Sequence, residues 1–158
     1  MHPKKILLFL SIIVLVNLSN AGAFDVFLGK VKTDNVNVRL GANINFESIT
    51  KLDTKDKVKI VDELYGWYKI ELNNLVPVYV SSKYVKFLPD SELAQVKANS
   101  LNVRMDANMD SVIIGQIPKK TIIKIKTKIN DFYEIDPKGI IFGWVNKFFI
   151  EKIPPKIS

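Results

Sequence analysis

The chain has 158 residues, 23 Lys and Arg against 16 Asp and Glu, a formal net charge of +7, no cysteine and a single histidine, His2. Without cysteine there can be no disulfide, thiolate nucleophile or zinc–thiolate site. If His2 leaves with an N-terminal export segment, the commonest general base and metal ligand leave too, so few enzyme classes survive and no metal or cofactor is expected.

The N-terminus reads as an export signal. Met1-His2-Pro3-Lys4-Lys5 is a short basic start, Ile6 to Val16 is apolar, and Ala21-Gly22-Ala23 has the small-x-small form of a signal-peptidase site. The apolar run suits a secretory signal and falls short of the roughly 20 residues that span a bilayer. The expectation is a signal peptide over 1–23, cleaved after Ala23, and a secreted or periplasmic product. An uncleaved membrane anchor is the alternative. No cysteine follows the small residues, which disfavours a lipid anchor.

Beyond the signal the chain repeats itself. Val31 to Asn43 returns as Val96 to Asn108, an offset of 65 that continues almost to the C-terminus. Arg39 and Arg104, the only arginines, each close an Asn-Val-Arg. Duplication means two copies of one small module and argues against a single extended active site. Copy one is placed at 31–88, copy two at 96–153, with a seven-residue join, 89–95, expected to hold at most a helical turn.

Both copies read as strands. Val36-Asn37-Val38, Val58-Lys59-Ile60 and Tyr68-Lys69-Ile70 alternate in polarity, as do Leu101-Asn102-Val103, Ile123-Lys124-Ile125 and Tyr133-Glu134-Ile135. Val78-Tyr79-Val80 and Gly143-Trp144-Val145 follow at matching places. Turn residues fall between them, at Tyr65-Gly66, Asn73-Asn74, Asn130-Asp131 and Pro137-Lys138-Gly139. The fold class expected is all-β, two small barrels in tandem. Alternation puts Tyr68, Ile70, Tyr133 and Ile135 inward, and Trp67, Lys69, Tyr79, Phe132, Glu134 and Trp144 outward. The copies should superpose with Arg39 over Arg104 and Tyr79 over Trp144.

Asn-Val-Arg after a first strand, a polar loop, an aromatic-rich strand and Gly-Trp-Val before a closing aromatic together resemble the bacterial Src-homology-3 (SH3) domain. Copy two carries Leu101-Asn102-Val103-Arg104, Phe132-Tyr133-Glu134-Ile135, Gly143-Trp144-Val145 and Phe149-Ile150. Copy one has Val36 to Gly41 and Gly66 to Ile70, but Pro77-Val78-Tyr79-Val80 in place of Gly-Trp-Val. The resemblance implies SH3-like barrels acting as non-catalytic targeting or adaptor modules of exported proteins, often beside a peptidoglycan hydrolase.

Candidate binding residues are the outward aromatics Trp67, Tyr79, Phe132 and Trp144, suited to stacking on sugars or small side chains. Asn43, Glu47, Asn108 and Asp110 of the polar loops could orient a ligand; placing these loops beside a groove rests on analogy. The bland alternative packs the aromatics against the other copy or the join. Arg39 and Arg104 could grip a ligand carboxylate, but recurrence in both copies favours a structural role for them, with Asn37 and Asn102, in holding their own barrel. Asp62, Glu63, Glu71 and Asp136 could form a hydrolytic carboxylate pair, but their turn positions favour solvated charge. Scattered lysines without a basic cluster argue against nucleic acid. The function expected is binding of cell-wall peptidoglycan or its peptide stems, with an envelope protein adaptor as the alternative. If only one copy binds, the fuller motif points to copy two.

Overall fold

The computed structural model describes residues 23–155, so the expected export signal lies, apart from Ala23, outside the described residues. The described chain is all-β. Its strands in repeat one are β1 (Phe27–Val31), β2 (Val36–Arg39), β3 (Ser48–Leu52), β4 (Lys57–Leu64), β5 (Trp67–Glu71), β6 (Val78–Ser81) and β7 (Val85–Phe87). Those of repeat two are β8 (Leu93–Val96), β9 (Ser100–Arg104), β10 (Ile113–Pro118), β11 (Ile122–Ile129), β12 (Phe132–Ile135), β13 (Phe142–Asn146) and β14 (Ile150–Lys152). Short 3-10 turns, Ser82–Tyr84 and Lys147–Phe149, precede β7 and β14. No helix among the described residues is long and apolar enough to cross a membrane.

Period-two patterning builds the core. Val36 and Val38, Val58 and Ile60, Leu101 and Val103, and Ile123 and Ile125 are buried while their neighbours face outward. The β4–β5 hairpin turns on Tyr65 and Gly66 at φ 47° and 84°, left-handed values suited to a two-residue hairpin loop. The expected helical turn at 89–95 does not form: Leu93–Val96 is β8, paired with β11 and β7. Its apolar Leu93, Ala94 and Val96 match Leu28, Gly29 and Val31 of β1, so the repeat begins earlier than Val31 and Val96.

The two sheets do not coincide with the two repeats. One has the order β14-β1-β4-β5-β13-β2-β3, the other β10-β9-β6-β12-β11-β8-β7. Barrel one therefore joins β1–β5 to β13 and β14 of repeat two. Barrel two joins β8–β12 to β6 and β7 of repeat one, a continuous stretch from Val78 to Ile135. The boundaries 31–88 and 96–153 mark the repeated sequence but not the folded units. Residues 72–77 and 136–141 carry the chain across, and Leu72 N–H donates to Ile141 O at 3.2 Å where they meet. Leu72, Val76 and Ile141 are buried there.

Side-chain volume at Gly143 is consistent with this exchange. A Cβ on Gly143 would overlap Val38 Cγ1 and come within 3.1 Å of Leu72 Cδ2. Repeat one carries Val78 where repeat two carries Gly143, so its own strand would bring a branched side chain into that space. By the 65-residue offset the counterparts of Val38 and Leu72 in repeat two are Val103 and Pro137, so the valine recurs and Leu72 is the neighbour that differs. An ion pair adds to the choice: Lys147 Nζ lies 2.5 Å from Glu63 Oε1. In repeat two the place of Glu63 is taken by Lys128, so closing repeat two on itself would set two lysines together.

Two outcomes are expected. Gly143→Val should destabilise the chain by about 1–3 kcal/mol through overpacking, read from the denaturant midpoint; a wild-type midpoint would mean that each repeat closes on itself. Trp67 and Trp144 both belong to barrel one. Because the crossing segments tie the barrels together, Ile135→Ala in barrel two, at a cost of about 2–5 kcal/mol, should lower the midpoint seen by tryptophan fluorescence. An unchanged fluorescence midpoint would mean that the barrels unfold independently.

Candidate functional site

The exchange creates two grooves at matching places. Groove one, about 190 Å³, is lined by residues 33–37, Arg39, Ile44 and Trp67 of repeat one and by Asn146 and Phe149 of repeat two. Groove two, about 310 Å³, is lined by Ala98, residues 100–102, Arg104 and Met109 of repeat two and by Ser81 and Tyr84 of repeat one. Ile44 corresponds to Met109, Asn146 to Ser81 and Phe149 to Tyr84 by the same offset. Each groove is thus walled by both repeats. A further hollow of about 350 Å³ adds Phe132 to the Ser81 and Met109 side of groove two.

The arginines fix the loops that form one wall. Arg39 Nη1 donates to Phe46 O and Arg104 Nη1 to Ser111 O, each at 2.7 Å and seven residues along the chain. The partner is a carbonyl of the arginine's own loop, not a carboxylate. Asn37 accepts from Ser48 Oγ at 3.0 Å, and Asn102 accepts from Gln116 Nε2 at 2.9 Å, tying β2 to β3 and β9 to β10. Asn43 and Asn108 turn back on their own loops, accepting from Asn45 N–H at 2.9 Å and Asp110 N–H at 3.0 Å. That gives both side chains a turn-forming role, and neither lines a groove. Glu47 and Asp110 are exposed on the same loops.

The aromatics divide. Trp67 is half-buried in groove one beside Asn146, its cross-strand partner. Trp144 and Tyr79 are half-buried on the outer faces, in register with Arg39 and Arg104 respectively. Loss of hydration, with the Glu134 charge second, raises the Tyr79 phenol above its usual pKa, so it stays protonated at neutral pH. Phe132 corrects the expectation of an outward ring: it is 6% exposed. Strand parity points it to the outer face, where it is opposite Ser81 and shares a hollow with Ser81 and Met109. Tyr68 and Tyr133 pack against the core, each edge-on to another ring, Phe27 and Phe87.

Glu71 overturns its reading as solvated charge. It is 7% exposed, pairs with Lys59 Nζ at 2.6 Å through Oε1, and its Oε2 has no partner. It ends β5 at the crossing, where Phe142 sits opposite. Glu63 is held by Lys147, and Asp62 accepts from the Glu63 N–H at 2.9 Å. The groove residues Ile44, Met109, Asn146, Phe149, Ser81 and Tyr84 escape a reading by strand alternation. Four of them come from the opposite repeat, and only the repeat offset itself, which pairs them two by two, could have drawn attention to them.

The bacterial SH3 domain profile matches residues 34–86 and 99–151. The chain belongs to the bacterial SH3 domain family. A curated relative, "Putative N-acetylmuramoyl-L-alanine amidase YrvJ" of Bacillus subtilis (strain 168), is 26% identical over 128 residues. The match covers 72% of this chain and 24% of the relative, so the chain spans about a quarter of that protein's length. Among solved structures, NlpC2 from Trichomonas vaginalis aligns with 12% identity over 85% of this chain and 51% of its own, at a TM-score of 0.27.

In this SH3 protein the two arginines should not be worth the same. Arg104 is 8% exposed and Arg39 half-buried. Arg104→Lys should cost about 1.5–3 kcal/mol, the worth of a hydrogen bond to a charged group, and speed amide exchange over 105–111. Arg39→Lys should cost less. Equal, negligible losses in thermal unfolding would show that the fork does not hold the loop.

Proposed function

We propose that the chain is an exported, non-catalytic binding module that grips cell-wall peptidoglycan, or its peptide stems, through two SH3 grooves. The observation that carries this reading is the pair of equivalent grooves, each combining an aromatic or thioether wall with amide and hydroxyl groups. Such a mixture stacks on a ligand and orients it. The family, and a relative whose name is that of a cell-wall amidase, support the same ligand class. The chemistry of a hydrolase finds little to work with: beyond residue 23 the chain has neither cysteine nor histidine, and Glu63 and Glu71 are bound in ion pairs.

One observation favours the envelope-adaptor reading. Val26, Leu28, Pro154 and Pro155 border an apolar hollow of about 470 Å³ with Lys57 and Lys152 at its rim, and Val26 and Leu28 are more than half exposed. Apolar surface with a charged rim suits a protein partner.

Sedimentation of the chain from Phe24 with purified sacculi separates the readings. Retention should fall about tenfold or more in Trp67→Ala with Phe149→Ala, and in Tyr84→Ala with Met109→Ala, as for residues that anchor a ligand. A chain that stays in the supernatant yet co-purifies with one envelope protein would transfer support to the adaptor reading.

A further inference from the structure

The exchange places both tryptophans, one from each repeat, in barrel one. On its outer face β13 lies between β2 and β5, and Trp144 is in register with Arg39 on one side and Lys69 on the other. Side chains in register on neighbouring strands share a face. The buried Val38, Ile70 and Val145 occupy the opposite face, so the indole stands half-exposed between two cations. Lys69 Nζ lies 4.8 Å from the Phe142 ring centre and 5.9 Å from that of Trp144.

Neither cation has a carboxylate within ion-pair distance among the described residues. Asp62 is opposite Lys69 on β4, but its Oδ1 accepts from the Glu63 N–H. Arg39 uses Nη1 on the Phe46 carbonyl, and the guanidinium makes no other hydrogen bond among the described residues. Its fork retains donors for a planar, two-oxygen acceptor. Barrel two carries a different charge order at the same place. Tyr79 stands between Arg104 and Glu134, and Lys126 lies 3.6 Å from Glu134. There the cation next to the ring is balanced by an anion.

We infer that the Arg39–Trp144–Lys69 row of barrel one is a carboxylate-reading subsite, which takes the free carboxylate of a short peptide while the indole packs on the residue that bears it. Barrel two lacks this preference because Glu134 replaces Lys69. The inference rests on the wall-binding reading and narrows its ligand to a peptide stem with a free carboxylate, in place of a glycan. Two flanking donors suit a carboxylate geometrically; a phosphate monoester, an anionic oxygen acceptor of different shape and higher charge, is treated as a competitor in the test.

The experiment uses the chain from Phe24 and a synthetic wall-stem peptide in two forms, with a free C-terminal carboxylate and as the C-terminal amide, followed by tryptophan fluorescence. The acid should bind roughly tenfold more tightly than the amide, the usual worth of a charge-assisted contact, with the advantage shrinking as salt rises. Lys69→Met should erase the preference while leaving amide binding in place. Glu134→Gln should leave it untouched, and glycerol phosphate should not displace the acid. Equal binding of the two forms, no binding of either, displacement by glycerol phosphate, or a preference that survives Lys69→Met would overturn the subsite. Sacculus retention without any acid preference sinks the subsite alone, whereas loss of sacculus retention sinks the wall reading beneath it.

Discussion

The arrangement of the molecule depends on the close approach at Gly143. Val38 and Leu72 come so near its backbone that no side chain fits between them, and of the two equivalent strands only β13 brings a glycine. Steric exclusion of this kind is steep, because packed interiors do not yield by more than a few tenths of an ångström without cost. Backbone hydrogen bonding separates the two strands only at one end: β13 begins with Phe142, paired with Glu71, whereas the counterpart of Phe142 in repeat one is Pro77, which has no N–H to donate, and β6 begins one residue later. Side-chain volume and this missing donor point the same way, and the Glu63–Lys147 pair, though exposed and worth little alone, favours the same partner.

Once β13 and β6 trade places, the segments C-terminal to them must trade too. The 3-10 turn Lys147–Phe149 and β14 go to barrel one, and Ser82–Tyr84 with β7 to barrel two. Those turns supply Phe149 and Tyr84 to the grooves, and the strand ends supply Asn146 and Ser81. A groove is therefore a property of the pair of repeats. The same exchange bears on the buried Glu71: its strand ends at the crossing, where Phe142 is its cross-strand partner and Lys59 neutralises it. Removing a carboxylate from water is costly unless it is paired, and the half-exposed Lys59 meets that need while keeping contact with solvent.

Much of this is legible from residues alone, and the limits are physical. Alternation locates the strands because every core position in Val58-Lys59-Ile60 or Ile123-Lys124-Ile125 keeps the period of the pleat. The recurrence of Arg39 as Arg104 marks the loop pins, and the turn chemistry of Tyr65-Gly66 marks a hairpin. Alternation reports which face a side chain leaves from, not what later covers it. It therefore sends Phe132 outward, whereas the ring is 6% exposed and lines a hollow together with Met109 and Ser81. The crossing is harder still, since two repeats of one sequence satisfy the same pairings in two ways. The clearest sign of it is the mismatch of Val78 with Gly143, beside those of Pro77 with Phe142 and of Glu63 with Lys128; in the sequence it reads as weaker motif agreement in repeat one rather than as a difference in volume.

That mismatch also changes which unit a ligand would meet. The fuller motif of repeat two points to it as the binder, on the strength of Trp144. In the folded chain Trp144 faces outward from barrel one, beside Arg39 and Lys69 of repeat one, while repeat two keeps Arg104 and Glu134 around Tyr79. Duplication supplied two equal frames, and the exchange distributed their differences unequally, with both indoles and a cation row that has no ion pair among the described residues on one side and a balanced charge row on the other. A tandem pair that had stayed closed repeat by repeat would instead hold one tryptophan in each barrel and Trp144 next to Glu134. The divergence of the two surfaces thus follows from the same exchange that sets the strand order.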